Sequence, residues 1–430
     1  MAIKDLRGKR LLVMGGMRIS CEIIHKAKTM GIVVGVADYN TIDNSPGKQI
    51  ADEHYEVNIT DVDAVVSLIN EKNFDGVIVG FNDMLLPYYA EICAKAGLPC
   101  YGTKEQFDTF TNKDRFKTLC RKYDIPTIID YDINDTKIEF PVLVKPVDNS
   151  GSRGITICHN RKDLIHAYNN AIENSKVGRA IIERYIDGRE VSIFWVFKDG
   201  DYFLTAMGNR HIKNNQSADV IPLPVGYTFP SVYLEDYQEN IEPKCKSMFS
   251  DIGIKDGMMF MQCKVANNIC YIYDIGYRLT GSLEYYILEQ ICDYNPLEMI
   301  IRFSLTGTMG EPDLIKKVNP NFKTPAFNVS CLSSPGTIDR IDGIENLPSI
   351  KDVKKTYISH MPGDTITPQM TGLLSQIAIR VLGTVESIHD LYPIMKRIEN
   401  EIKIISDKGE NLCLPGIDFE DIDGYISIYQ

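Results

Sequence analysis

A lysine closes an apolar run in FPVLVKPVDNSGSRG, residues 140–154. Phe140, Pro141, Val142, Leu143 and Val144 read as a short buried strand cut off at Lys145-Pro146. From Val147 to Gly154 nearly every residue is small or polar, so the backbone there can approach a ligand closely and present N–H groups to an anion. The bland alternative for Lys145 is a strand-end lysine that snorkels to solvent. Other residues able to do chemistry follow the same order along the chain. They are Lys113 on a polar helix face, Glu183 and Glu190 in IIERYIDGRE, Gln262 and Asp274 on two successive strands, and Arg278 in RLTGS. Each is ordinary alone: one lysine of many, two solvated acids flanking the Asp187-Gly188 turn, an exposed Gln and Asp, a surface arginine.

The elements that must position them begin with an alternation typical of a parallel sheet with covering helices. KRLLVMGG, IVVGVADYN and FDGVIVGF read as strands, with SCEIIHKAKTMG and DVDAVVSLINEKN as helices between them. This is a Rossmann-like layer, but Gly15-Gly16 is not the GxGxxG dinucleotide fingerprint. Gly15, Gly16 and Asp38 are therefore expected to serve a tight turn or a small substrate rather than NAD. KEQFDTFTNKDRFKTLCRKYDIPT reads as two helical pieces, the second with Phe116 and Leu119 on one side and Arg115 and Lys117 on the other. ITICHN, RAIIERYI and EVSIFWVF read as strands, IPLPVGYTFPS as a loop region, and MMFMQCKVANNICYIYDI as two strands about Asn267-Asn268. Past about Phe303, Pro/Gly-containing segments separate short strands, and ESIHDLYPIMKRIENEIKII reads as a helix.

At 430 residues the chain exceeds one ordinary domain of roughly 150 residues. No segment approaches the roughly 18 apolar residues of a membrane span, and the amino terminus lacks a secretory apolar core. A cytoplasmic protein is expected. The eleven cysteines form no CxxC pair, so neither disulfides nor a zinc site is expected. A formal charge of -12 with no Lys/Arg block argues against a nucleic-acid partner.

With these features in order, the sequence resembles the ATP-grasp superfamily of ADP-forming carboxylate-amine ligases, the group of biotin carboxylase, phosphoribosylglycinamide synthetase, carbamoyl phosphate synthase and L-amino acid ligase. The resemblance implies an α/β plus α+β fold. A Rossmann-like leading domain would occupy 1–104 and an ATP-grasp core 105–305, with a lid over about 140–190. A smaller α+β or barrel-like domain would fill 306–430. It places Lys113, Lys145 and the loop Ser150, Gly151, Ser152, Arg153 and Gly154 on the nucleotide phosphates. Fixed ammonium groups would offset the triphosphate charge while the loop excludes water. It further implies Glu183 on the adenine amino group, the backbone of Arg184 and Ile186 on the adenine edge, and Glu190 on the ribose hydroxyls. Arg278 matches an arginine beside the transferred phosphoryl group. Arg210, His211 or Lys213, in the polar segment GNRHIKNN, lie where relatives bind the second substrate.

The metal positions depart from the family's Glu, Glu and Asn, reading Gln262, Asp274 and Gly276. Magnesium or manganese often takes only one or two carboxylates, so Asp274 could suffice, with Gln262 as a weaker neutral ligand. A plain two-residue Asn267-Asn268 turn would pair 262 with 273 and put Gln262 and Asp274 on opposite faces. A three-residue turn or a bulge is therefore predicted. The resemblance implies an ATP- and magnesium-dependent ligase that joins a small carboxylate, expected to be an amino acid, to an amine, with a homodimer as the expected assembly. The rivals are an ATP-binding module that has lost catalysis and an NAD-dependent oxidoreductase.

Overall fold

The computed structural model describes residues 5–147, 155–175, 178–213 and 222–426. The leading sheet has four parallel strands in the order Glu53–Glu56, Val33–Asp38, Arg10–Met14, Gly76–Ile78. Its β-branched strands are buried on both faces, as a parallel sheet under helices requires. Strand order reverses between Arg10–Met14 and Gly76–Ile78, which opens a crevice beyond their carboxyl ends. Asp38 is consumed inside this layer. Its carboxylate accepts from the Gly16 N–H at 2.7 Å and from the Asn40 backbone and side chain, so it holds a turn.

An eight-stranded antiparallel sheet forms the centre of the molecule. Its order is Ile269–Gly276, Gly257–Ala266, Arg189–Lys198, Asp201–Lys213, Leu223–Phe229, Ala326–Leu332, Ile377–Thr384, Val353–Ile358. Pairing of Leu223–Phe229 with Ala326–Leu332 carries the sheet across residue 305. Ala326–Leu332, Ile377–Thr384 and Val353–Ile358 thus extend the large sheet, while Thr365–Ile366, Gly336–Asp342 and Lys403–Ser406 form a separate three-stranded sheet. IPLPVGYTFPS is a correction: Leu223–Phe229 within it is a fully buried strand. Its Pro224 sits where the register shifts between His211 and Ile212, a bulge that tolerates the missing N–H. The carboxy-terminal helix is shorter than expected, Leu391–Glu401, because the following Lys403–Ser406 is β-branched and pairs with Gly336–Asp342.

A separate four-stranded sheet contains Asp130–Tyr131, Ala180–Arg184, Val142–Pro146 and Thr156–Cys158, with its own small core of Val142, Val144, Leu164 and Ile182. Thr103 and Asn112 cap the successive helices Lys104–Thr111 and Lys113–Lys122, which lead from the first layer into this one.

Candidate active site

The strand ending at Lys145 lies beside Ala180–Arg184, in a register that pairs Leu143 with Glu183 and Lys145 with Ile181. Leu143, Lys145 and Glu183 therefore share a face. Lys145 Nζ bonds Glu183 Oε2, and Lys117 Nζ donates to Glu183 Oε1 at 2.7 Å and to Asp130 Oδ1 at 2.6 Å. Burial would raise the Glu183 pKa, but Lys145 and Lys117 outweigh it and hold the carboxyl at about 2. Burial and the nearby Lys113 lower the Lys145 pKa despite Glu183. Lys117, with two carboxylates, is held above the ordinary lysine value although burial opposes this.

One expectation changes here. Lys117 does not face solvent: it is 1% exposed. It follows Phe116 by about 100° around the helix, which puts it at the flank of the buried face, and paired acids make its burial tolerable. Glu183 is the counter-ion of two lysines, with one ammonium group on each oxygen, a structural role added to the one expected of it. The Arg184 N–H is taken by the Ile129 carbonyl at 2.9 Å. Ile186 lies two residues past the strand end with its side chain buried. Lys113, at the first turn of its helix, is close enough to act electrostatically on both Lys145 and Asp274. Ser150, Gly151, Ser152, Arg153 and Gly154 lie outside the described residues.

Glu190 anchors a second polar node on the large sheet. It bonds Arg210, accepts from Tyr273 Oη at 3.1 Å and pairs with Lys264 at 2.9 Å. Burial favours its neutral form, yet Arg210 and Lys264 hold it below the usual carboxylate range. GNRHIKNN is corrected too: Gly208–Lys213 ends a long strand, so alternate side chains go to opposite faces. Arg210 points at Glu190. His211 contacts Thr228 and the Asp421 carbonyl, and burial pushes its pKa down to about 3. Lys213 bonds Asp418 and the Gly416 carbonyl, which ties it to the carboxy-terminal segment instead of the substrate face.

The hairpin carries the bulge that a shared site for Gln262 and Asp274 requires. Asn267 and Asn268, both with positive φ, form a two-residue turn; Cys263 pairs with Ile272, and Gln262 then pairs directly with Asp274. The extra residue, Tyr273, lets both side chains share one face. Gln262 Oε1 already accepts from Tyr273 at 3.2 Å, whereas the Asp274 side chain makes no hydrogen bond or ion pair among the described residues. Burial raises the Asp274 pKa, with Lys113 and Arg278 opposing and Asp83 adding to the rise. A Cβ on Gly276 would come within 2.3 Å of the Phe260 ring, so a larger residue at that metal position collides with it.

Arg278 bonds Asp83, donates to the Leu279 carbonyl at 2.7 Å and stacks 4.8 Å from the Phe260 centroid. Asp83 was not singled out by sequence reasoning. The available signal is its position just after the strand Gly76–Ile78, at the switch point of the leading sheet.

The model of the ATP-grasp domain matches residues 138–283, which includes Lys145, both acid nodes, the hairpin and Arg278. The chain contains an ATP-grasp domain. It is 25% identical over 326 residues to the carbamoyl phosphate synthase large chain of Clostridium botulinum (strain Langeland / NCTC 10281 / Type F), an alignment covering 71% of this chain and 30% of that one. The chain thus spans about a third of the length of such relatives. Its ATP-grasp fold is shared with an L-amino acid ligase from Bacillus licheniformis, at a TM-score of 0.75 and 19% identity, over 93% of this chain and 99% of that one. It is also shared with the Hydrogenobacter thermophilus 2-oxoglutarate carboxylase biotin carboxylase domain, a dimer solved with MgADP and bicarbonate. There the TM-score is 0.74 at 18% identity, over 98% of each chain. No helix among the described residues is long and apolar enough to cross a membrane.

Proposed function

We propose that this chain is an ADP-forming ligase that activates a small carboxylate, an amino acid by preference, as an acyl-phosphate and joins it to an amine. The observation that carries the reading is that Asp274, half-buried beside Gln262 on the hairpin, lies in the field of Lys113, Arg278 and Lys145 and is bonded to none of them. In the proposed reaction a substrate carboxylate oxygen attacks the γ-phosphorus of ATP, the bond to the β-phosphate oxygen breaks, and ADP leaves. The amine then attacks the acyl carbon, loses a proton, and phosphate departs. Lys113, Lys145 and Arg278 counter the moving negative charge, which is the main lever in phosphoryl transfer. Magnesium, if bound at Asp274, would supply further charge neutralisation. The residues fit such an ion: Asp274 keeps its lone pairs, and Gln262 offers an oxygen on the same face. A homodimer belongs to the same proposal and is checked by light scattering.

The test is ADP release from Mg-ATP against pools of amino acids and other small carboxylates, with hydroxylamine as surrogate amine. Carboxylate-dependent ADP together with hydroxamate is expected. ATP binding without turnover across the pools would favour the second reading, a module that binds nucleotide only. The Phe260 ring packed against Gly276, where a third ligand would stand, is what motivates that alternative.

A further inference from the structure

Three arginines lie on or beside the site face of the large sheet, and they are not equivalent. Arg210 has Glu190 and Arg278 has Asp83, whereas Arg380 has no carboxylate within 4 Å among the described residues. Arg380 is 7% exposed, and its one side-chain hydrogen bond among the described residues is from Nη1 to Ser330 Oγ at 2.8 Å. A buried guanidinium without a counter-ion is costly and calls for a reason.

Register shows what it faces. Glu190 pairs with Arg210, Arg210 with Tyr227, and Tyr227 with Asn328. Two residues along, Ser330 pairs with Arg380 and Arg380 with Tyr357. Cross-strand partners and alternate residues share a face, so Arg380 lies on the same surface as Glu190 and, through Ser192, Gln262 and Asp274. Asn328 Nδ2 donates to the Ser282 carbonyl at 2.6 Å, which holds the segment after Arg278 over this part of the sheet. Glu284, in that segment, bonds Ser282 Oγ at 2.9 Å and is not paired with Arg380. Burial holds the Glu284 carboxyl up at about 7.

We propose that Arg380 anchors a second, non-reacting carboxylate of the substrates, supplied by an amino acid acting as the amine or by a dicarboxylic acid. This rests on the ligase reading and narrows its substrate class. A single guanidinium bonded to the Ser330 hydroxyl, with Tyr227 and Tyr357 close enough to act on it electrostatically, suits one negative charge in a planar carboxylate. A phosphate dianion would place a second charge near Glu284 with no further cation bonded there.

The decisive experiment is thermal unfolding of the full chain with succinate or inorganic phosphate as probe, in wild type, Arg380→Met and Arg380→Lys, with no nucleotide added. Succinate should raise the wild-type unfolding temperature by a few degrees and phosphate by less. The succinate shift should vanish in Arg380→Met and shrink in Arg380→Lys, which keeps charge without the fork. Without probe, Arg380→Met should unfold no lower than wild type. No succinate shift, an equal shift in Arg380→Met, a larger phosphate shift, or a marked fall in Arg380→Met and Arg380→Lys alike without probe would each overturn the proposal. Because no turnover is read, absence of ADP release sinks the ligase reading and leaves this result standing on its own. Once a substrate pair is known, Arg380→Met should raise KM at least tenfold for the carboxylate-bearing partner and leave KM for ATP unchanged. With hydroxylamine replacing the amine, a persisting effect assigns the anchored group to the acid, and its loss assigns it to the amine.

Discussion

Glu183, buried, and Asp274, half-buried, are both carboxylates near lysines, yet they are built in opposite ways. Glu183 has a lysine on each oxygen and is held ionised to about pH 2. Asp274 has Lys113, Lys145 and Arg278 in its field but bonds none of them. A carboxylate with a cation on each oxygen fixes its neighbours in place, which makes Glu183 the post that aims Lys117 and Lys145. An unbonded one keeps lone pairs for chemistry and costs stability to maintain. The small sheet is thus held by charges compensated within the protein, while the hairpin presents a charge ready for a ligand.

The sharpest way to break this contrast is at Glu183. Glu183→Ala strands Lys145 without its carboxylate and should cost about 3–5 kcal/mol in urea unfolding. Its folded pKa lies below the ordinary 4.5, so its stabilisation is present above that pH. It should be lost progressively as pH falls from about 4.5 towards about 2, and Glu183→Gln should flatten that part of the profile. Asp274→Asn should behave inversely, lowering kcat by about 100-fold in the ADP-release assay while leaving the unfolding temperature unchanged or higher. An equal stability loss in both variants would erase the distinction. Gly276→Asn ranks next: overpacking against Phe260 should cost about 1–3 kcal/mol, and Phe260→Ala in the same chain should recover part of it. Gln262→Glu, with no such clash, should fold normally and tighten magnesium binding in calorimetry. The smallest effect is expected at Asp83. Asp83→Asn should lower kcat by about threefold to tenfold with KM for ATP unchanged, and change stability by less than about 1 kcal/mol because the pair is partly exposed.

Much of this architecture was legible in the residues because local chemistry dictates it. The alternating strands and helices of the first hundred residues form the parallel sheet, and the metal positions implied by the resemblance, set against the spacing of Gln262 and Asp274 about Asn267-Asn268, called for the bulge that forms. What misled was polarity read along the chain. Lys117 looked like surface and is core; Pro224 looked like loop and is strand; Lys213 looked like a substrate ligand and is a tie to Asp418. In each case a partner distant in sequence reverses the local preference.

By itself the sequence determined the elements, the hairpin geometry and the identity of the charged groups, since these follow from propensity, turn chemistry and side-chain type. Only the tertiary structure decided which charges are spent on one another. Whether Glu183 is neutralised, Asp274 left unbonded and Arg380 left without a counter-ion depends on Lys117, Asp83 and the strands that bring them within hydrogen-bonding distance. Electrostatic pairing falls off over a few ångströms, and no spacing along the chain encodes those distances.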